Sequence, residues 1–431
     1  MAISASVANS LDINLNHTNI NVTSAHRRGK VERLRIADQV LAEFTCPQQV
    51  SLHWDGKTLK MKGKIKSNRV AVYISGTDGE KVRKLLGIPE TKDGSGKEEA
   101  VVIKQAMVKW DVKGQCINLV FDTTSSNSSP SVGACMHLEL YVGHPVLWSA
   151  CRHHVYELYI KKVTDVVMGD TESPGVPLFK RMEKEWYDLE IDYDNLRVFD
   201  YSSVPDWMAE EARKVKEWGE KMLETKSWVR EDYREFLQLM VKALGGHVKD
   251  FRFRLPGADH HARWMSKGIY LLKMWLLSRV FELSEEEEGQ VARIVKFILV
   301  LYARPWLQAP LSASAARNDL TFHFNVLHYR EEEPALAFQL LSTIRRHQWY
   351  LTAQWVTLAL ADEGLPEEER EELARSIHSM PREEIATGKP DYPTLDWSGE
   401  VLVRPRVSSL VTKNSWLVFD LLQLQGSQVH Q

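Results

Sequence analysis

Two short apolar runs in this chain each end on an aspartate. "QVSLHWDGK" sets Asp55 directly after Trp54, and "CINLVFDTTSSN" sets Asp122 directly after Phe121. If the two runs are neighbouring strands, their carboxylates meet at the strand ends, where an open α/β sheet gathers its reactive groups. Carboxylates so close repel, and their pKa values rise unless a cation lies between them. Mg2+ or Mn2+ meets that need, because each takes hard oxygen ligands and leaves positions for water and a substrate phosphate. Two such ions about 4 Å apart activate a nucleophile and stabilise a leaving 3′-oxygen, which is what phosphodiester cleavage or strand transfer requires. The plainer reading of Asp55 is that it opens a "DGK" turn, a common use of such residues. Asp122 borders the most apolar strand in the pattern, and the hydroxyls of "TTSSN" behind it suit a helix start.

The elements that must position these residues follow from periodicity. "QVSLHW" and "RVAVYIS" read as strands, and a third early strand could hide in "TLKMKGK". "GEKVRKLLGIP" reads as a short helix stopped by Gly87 and Pro89. "GSGKEEAVVIKQAMVKWDV" carries a helical apolar pattern. "CINLVF" does not alternate, as expected of a central strand covered on both faces. "SVGACMHLELYVG" reads as a helix, "PVLWSAC" as a strand and "HHVYELYIKKVTDVV" as a helix. The order predicts a hairpin-led mixed sheet that then gains parallel crossovers. Beyond about Asp165 the pattern is helical, and tryptophans recur at Trp264, Trp275, Trp306, Trp349 and Trp355. Core packing of long helices accounts for them, with base stacking by one or two as the alternative. A C-terminal segment with Trp416 and Phe419 on one side is expected to dock back onto the body. The expected organisation is a flexible lead-in over 1–47, an α/β core over 48–165, a helical insertion over 166–330, helices returning to the core over 331–390, and a docking segment over 391–431.

Composition narrows the function classes. The chain has 431 residues, enough for a large core. No stretch approaches twenty uninterrupted apolar residues, so no membrane-spanning helix is expected, and the polar N-terminus lacks a secretory signal. Four cysteines are few for this length and fit a reducing, intracellular setting rather than a disulfide scaffold. The net charge of −3 hides a local basic stretch, "KTLKMKGKIKSNR", so charge alone neither requires nor excludes nucleic acid. "GSGK" is too short for a phosphate-cradling loop of Walker type. "CRHH" offers only part of a zinc set, which Cys135, His137, His260 or His261 would have to complete. Lys57, Arg152 and His153 are candidates for touching a phosphate. Arg263 and Lys267, four apart in "HARWMSKG", suit backbone contacts equally with a solvated helix face.

Taken together these words resemble the catalytic core of hAT-superfamily DNA transposases, through a group of transposon-derived animal proteins. The shared words are "DGK", "FDTT", "CRHH", "HARWM", "HQWYL" and "KNS", and the resemblance covers roughly residues 48 to 425. It implies an α/β fold: an RNase-H-like mixed sheet core interrupted by a large all-helical insertion. It also implies that Asp55 and Asp122 hold the first two acidic positions of a metal site, with Cys151 and His154 as a structural Cys-x-x-His pair. A third acidic residue belongs on a late helix, but Ala353 and Gln354 stand just after "WYLT". Glu157 is then the catalytic candidate for that role, with Asp319 and Glu363 as substitutes. No zinc-finger spacing precedes Gln49. The implied cofactor is Mg2+ or Mn2+ if the site is active, the implied partners are DNA and a protein or a second copy, and the implied location is nuclear. The expectation is a transposase-derived protein that cleaves or transfers DNA strands. The alternatives are a domesticated, inactive protein that binds nucleic acid or protein, and a helical scaffold in which the α/β core is only structural.

Overall fold

The valine-rich strands near the N-terminus build the frame. In the computed structural model, which describes residues 22–60, 66–78, 80–169, 176–225, 230–256, 265–347, 353–385 and 404–422, β1 (Val50–Lys60), β2 (Lys66–Asp78) and β3 (Glu80–Gly87) form an antiparallel meander. The two-residue β4 (Glu90–Thr91) adds to β2. Then β5 (Cys116–Phe121) lies parallel to β1, and β6 (Leu147–Ala150) lies parallel to β5. The result is a six-stranded mixed sheet with spatial order β3-β2-β1-β5-β6, within an α/β fold that carries large helical insertions.

Three expectations need correction here. The "GEKVRKLLGIP" segment is β3, not a helix. Its exposure alternates with period two: Lys81, Arg83 and Leu85 are exposed, while Val82, Lys84 and Leu86 turn inward. Pairing with β2 along the whole segment outweighs its helix-compatible composition. The start of "TLKMKGK", Thr58 to Lys60, continues β1, and the rest of that segment lies outside the described residues. And β5 is buried on one face only: Leu119 and Phe121 are buried, whereas Asn118 and Val120 are half-buried.

Before the sheet, α1 (Val22–Ala42) is a helix where a flexible lead-in was expected; its end packs Phe44 edge-on against Trp110 at 5.2 Å. The crossover from β4 to β5 is α2 (Gly96–Lys109), started by the Ser95 cap and packed on the sheet through Ala100, Ile103 and Met107. The crossover from β5 to β6 holds α3 (Ser125–Ser128) and α4 (Ala134–Val142). The next helix, α5 (Arg152–Met168), leaves β6 and enters the helical body.

That body comprises α6 (Pro177–Glu185), α7 (Asp206–Thr225), α8 (Glu231–Ala243), α9 (Met265–Leu276), α10 (Glu285–Phe297), α11 (Ala303–Gln308), α12 (Ala315–Tyr329) and α13 (Pro334–His347). No strand follows β6 among the described residues. One hydrophobic core runs from Val50 in β1 to Ile344 in α13, so sheet and body share their packing. Trp275, Trp306 and Trp355 are buried in it or beside it, as core packing requires; Trp264 and Trp349 lie outside the described residues. The C-terminal α16 (Leu417–Leu421), reached after α14 (Ala353–Thr357) and α15 (Glu367–His378), packs Trp416 and Phe419 against Leu373, Ile377 and Leu410. No helix among the described residues is long and apolar enough to cross a membrane.

Candidate active site

Strand register decides whether the two aspartates meet. Parallel pairing sets Leu52 beside Leu119 and His53 beside Val120, and the same offset carried two residues further sets 55 beside 122. Pairing with β5 stops there, but β1 continues against β2, with Asp55 opposite Ala71 and Lys57 opposite Arg69. Asp55 therefore does not open a turn. It stands exposed within a long strand, at the point where its parallel neighbour ends.

Asp122 is held by its own loop. Its Oδ1 accepts hydrogen bonds from the Thr124 amide at 3.1 Å, the Thr124 hydroxyl at 2.6 Å and Asn127 Nδ2 at 2.7 Å. Asn127 Oδ1 in turn accepts from Trp54 Nε1 at 2.7 Å, which ties this loop to β1. The Thr124 hydroxyl and amide and the Asn127 side chain thus orient one oxygen of Asp122, a larger role for "TTSSN" than starting a helix.

A third carboxylate arrives from an unexpected place. Glu99 sits in the first turn of α2, is only 7% exposed, and leans against Gly56. A Cβ at Gly56 would come within 2.9 Å of Glu99 Oε1, so the small residue after Asp55 makes room for this acid. Burial first, then the negative charges of Asp122 and Asp55, push Glu99 up to about 7. Its Oε2 is buried and has no hydrogen-bond partner among the described residues. A polar cleft of about 170 Å³ opens beside it, lined among others by Lys57, Asn68, Arg69, Asp122 and Asn127. The sequence carried a weak signal for Glu99: "SGKEE" reads as an ordinary capped helix start, where acids favour the positive end of the helix dipole. Nothing local distinguishes Glu99 from the half-buried Glu98 beside it.

The other candidates separate clearly. Glu157 lies on α5, is also pushed up to about 7 by burial, and has Arg230 as the charge that acts on it. Glu99, not Glu157, is the acid coupled to both aspartates. Asp319 is fully buried and bound to Arg152, and Glu363 is exposed beside the Arg317–Asp362 pair. Arg152 cannot touch a phosphate, since it is buried with both Nε and Nη2 on Asp319, at 3.2 and 2.7 Å. His153 is half-buried, bonds the Trp306 carbonyl at 3.1 Å and is held down to about 4 by burial, so it is not a surface cation. Lys267 is fully buried in α9 and offers no backbone contact. Arg263, with His260 and His261, lies outside the described residues. Lys57 is exposed and lines the cleft.

The Cys-x-x-His pair buttresses the strand that carries Asp122. The Cys151 amide donates to the Phe121 carbonyl at 2.6 Å, and Cys151 caps α5. The charge of His154 acts on His347, whose Nδ1 shares a 3.1 Å hydrogen bond with the Thr123 hydroxyl. Burial pushes the Cys151 thiol up, and all four cysteines are free.

In kind, the donors suit a hard divalent cation: three carboxylates, one of them with a buried oxygen lacking a partner among the described residues. In placement they are not yet a cage, because no group of three or more His, Cys, Asp or Glu among the described residues stands ready to hold a metal ion. No protein-family model matches the chain, and comparison with curated proteins finds no significant match.

Proposed function

We propose that this is a transposase-derived protein with an RNase-H-like core, whose Asp55, Glu99 and Asp122 serve divalent-metal-dependent cleavage of phosphodiester bonds in DNA. The observation that carries the reading is the placement of Glu99: it is buried against Gly56, lines the same cleft as Asp122, and has one oxygen without a hydrogen-bond partner among the described residues. Further support comes from the strand order, with three antiparallel strands followed by two parallel ones, and from acids on the first long strand and directly after the fourth.

Asp55, Glu99 and Asp122 would hold Mg2+ or Mn2+, which when bound supplies charge neutralisation and an activated water for attack on phosphorus. The chain's own residues do the rest. Thr124 and Asn127 fix the orientation of Asp122 before substrate arrives. Glu99, balanced near 7, exchanges a proton readily at neutral pH. Lys57, which forms no ion pair among the described residues, supplies a positive charge at the cleft mouth for a phosphate.

The test is a cleavage assay on labelled single- and double-stranded DNA with Mg2+ or Mn2+. Loss of cutting in Asp122→Asn, Glu99→Gln and Asp55→Asn supports the reading. Cutting that survives all three substitutions, or that is absent from the unaltered protein, contradicts it. A second reading, a domesticated protein that binds without cutting, draws on the lack of a ready ligand set among the described residues. It predicts binding that none of the three substitutions changes.

A further inference from the structure

One face of the sheet is covered by α2 and α4; the opposite face carries Asp55 and Lys57 and, beyond them, a pattern that the acidic site does not use. Odd-numbered residues of β1 and β2 point to that second face. His53 and Tyr73, opposite one another across the two strands, stack with ring centroids 4.3 Å apart and planes within 10°. His53 Nε2 is pinned to Ser75 Oγ at 2.7 Å, and burial together with Arg83 keeps its ring neutral at pH 7. Tyr73 is 39% exposed, and its partner across β3, Leu85, is 53% exposed. Arg83 and Lys81 follow at the register positions of Ser75 and Thr77, both exposed and without an ion pair among the described residues. In the other direction along the strands come Asp55 and then Lys57. Arg69 lies beside Lys57 but is already engaged by Glu90 at 3.2 Å. Towards the far edge, Asn118 donates to Ser51 at 3.0 Å and accepts from Ser149 at 2.5 Å, so that stretch is polar as well.

We propose that this face is a track for single-stranded nucleic acid, with a base resting on the Tyr73–Leu85 platform and phosphates held by Arg83 and Lys81 on one side and Lys57 on the other. The track deepens the cleavage reading and rests on it for its purpose, because it leads along β1 directly to Asp55. From the Lys81 position to Lys57 it spans eight strand residues, roughly 26 Å at about 3.3 Å each. A rigid aromatic surface flanked by unpaired cations is how proteins hold single strands without reading sequence. A duplex keeps its bases stacked on each other, so it could use the cations but not the platform. A protein partner of acidic character would likewise use Arg83 and Lys81 and ignore Tyr73.

The experiment measures binding of a labelled oligothymidylate of about 12 nucleotides, and of its duplex, by fluorescence anisotropy in EDTA, where cutting is switched off. The track predicts tighter binding of the single strand than of the duplex. Tyr73→Ala should weaken single-strand binding about tenfold and leave duplex binding unchanged, while Tyr73→Phe should retain both. Arg83→Glu should weaken binding and flatten its dependence on salt. Equal binding by the Tyr73→Ala protein, or a preference for duplex, overturns the track. The two ideas fail separately. Single-strand binding that needs Tyr73, without cleavage in Mg2+, leaves the track standing and removes the nuclease. Cleavage that is lost in Asp122→Asn but indifferent to Tyr73→Ala does the reverse.

Discussion

Two buried acids in this molecule are treated in opposite ways. Asp319, on α12, is fully enclosed and completely engaged: Arg152 grips both of its oxygens, and the Tyr156 hydroxyl donates to Oδ1 at 2.6 Å. Glu99, on α2, is nearly as buried, yet one oxygen lacks a partner among the described residues and the charges acting on it are those of two further carboxylates. The first arrangement fastens α5 to the helical body, since Arg152 also donates to the Ala309 carbonyl at 3.1 Å. The second is costly unless something positive arrives. Asp319 is thus neutralised for structure, whereas Glu99, on the function proposed above, is left for chemistry.

Each prediction breaks or sharpens that contrast. The largest effect belongs to the acidic site. Asp122→Asn and Glu99→Gln should each lower metal-dependent cleavage by more than about 100-fold, the upper end of what residues merely supporting metal ligands cost; single-turnover rates measure it. Next comes the pin. Asp319→Ala should destabilise by about 3–5 kcal/mol in chemical denaturation, because it strands the Arg152 charge inside the protein.

Glu99 should behave in the opposite sense. Its folded pKa near 7 lies above the ordinary 4.5, so between those values the folded state binds more protons than the unfolded one. Stability therefore falls as pH rises from about 4.5 to about 7 and stays lower beyond. Glu99→Gln removes that loss. The variant should exceed the unaltered protein by on the order of 1–2 kcal/mol at about pH 8 and match it near pH 4, as pH-resolved denaturation would read. An acid whose removal stabilises the fold while abolishing the reaction is a functional acid. The smallest effect is expected at the rim: Lys57→Ala should weaken DNA binding by severalfold and reduce its salt slope by about 1.

How much of this could be read from residues alone depended on the range of the interaction. The sheet could, in the main: β1, β2, β5 and β6 announce themselves by valine, isoleucine and leucine runs, and "DTTSSN" after β5 marks Asp122. β3 could not, because "EKVRKLLG" has good helix formers and becomes a strand through its pairing with β2. Glu99 could not either, since its meaning comes from Gly56, more than forty positions earlier, and from two aspartates on other elements. Arg152 and Lys267 looked like surface cations because charged residues usually are; only tertiary packing reveals that both are interior. The hAT resemblance points to a late-helix acid such as Glu157, Asp319 or Glu363, whereas the acid on which both aspartates act comes from α2, ahead of β5 in the chain.

Calorimetric titration of the full chain with Mg2+ or Mn2+ at pH 7, in two buffers of different ionisation enthalpy, tests the central claim most directly. Binding should release about half a proton as Glu99 gives up its hydrogen, and Glu99→Gln should bind more weakly with no release. No binding, or binding whose proton count is the same in Glu99→Gln, would contradict the account.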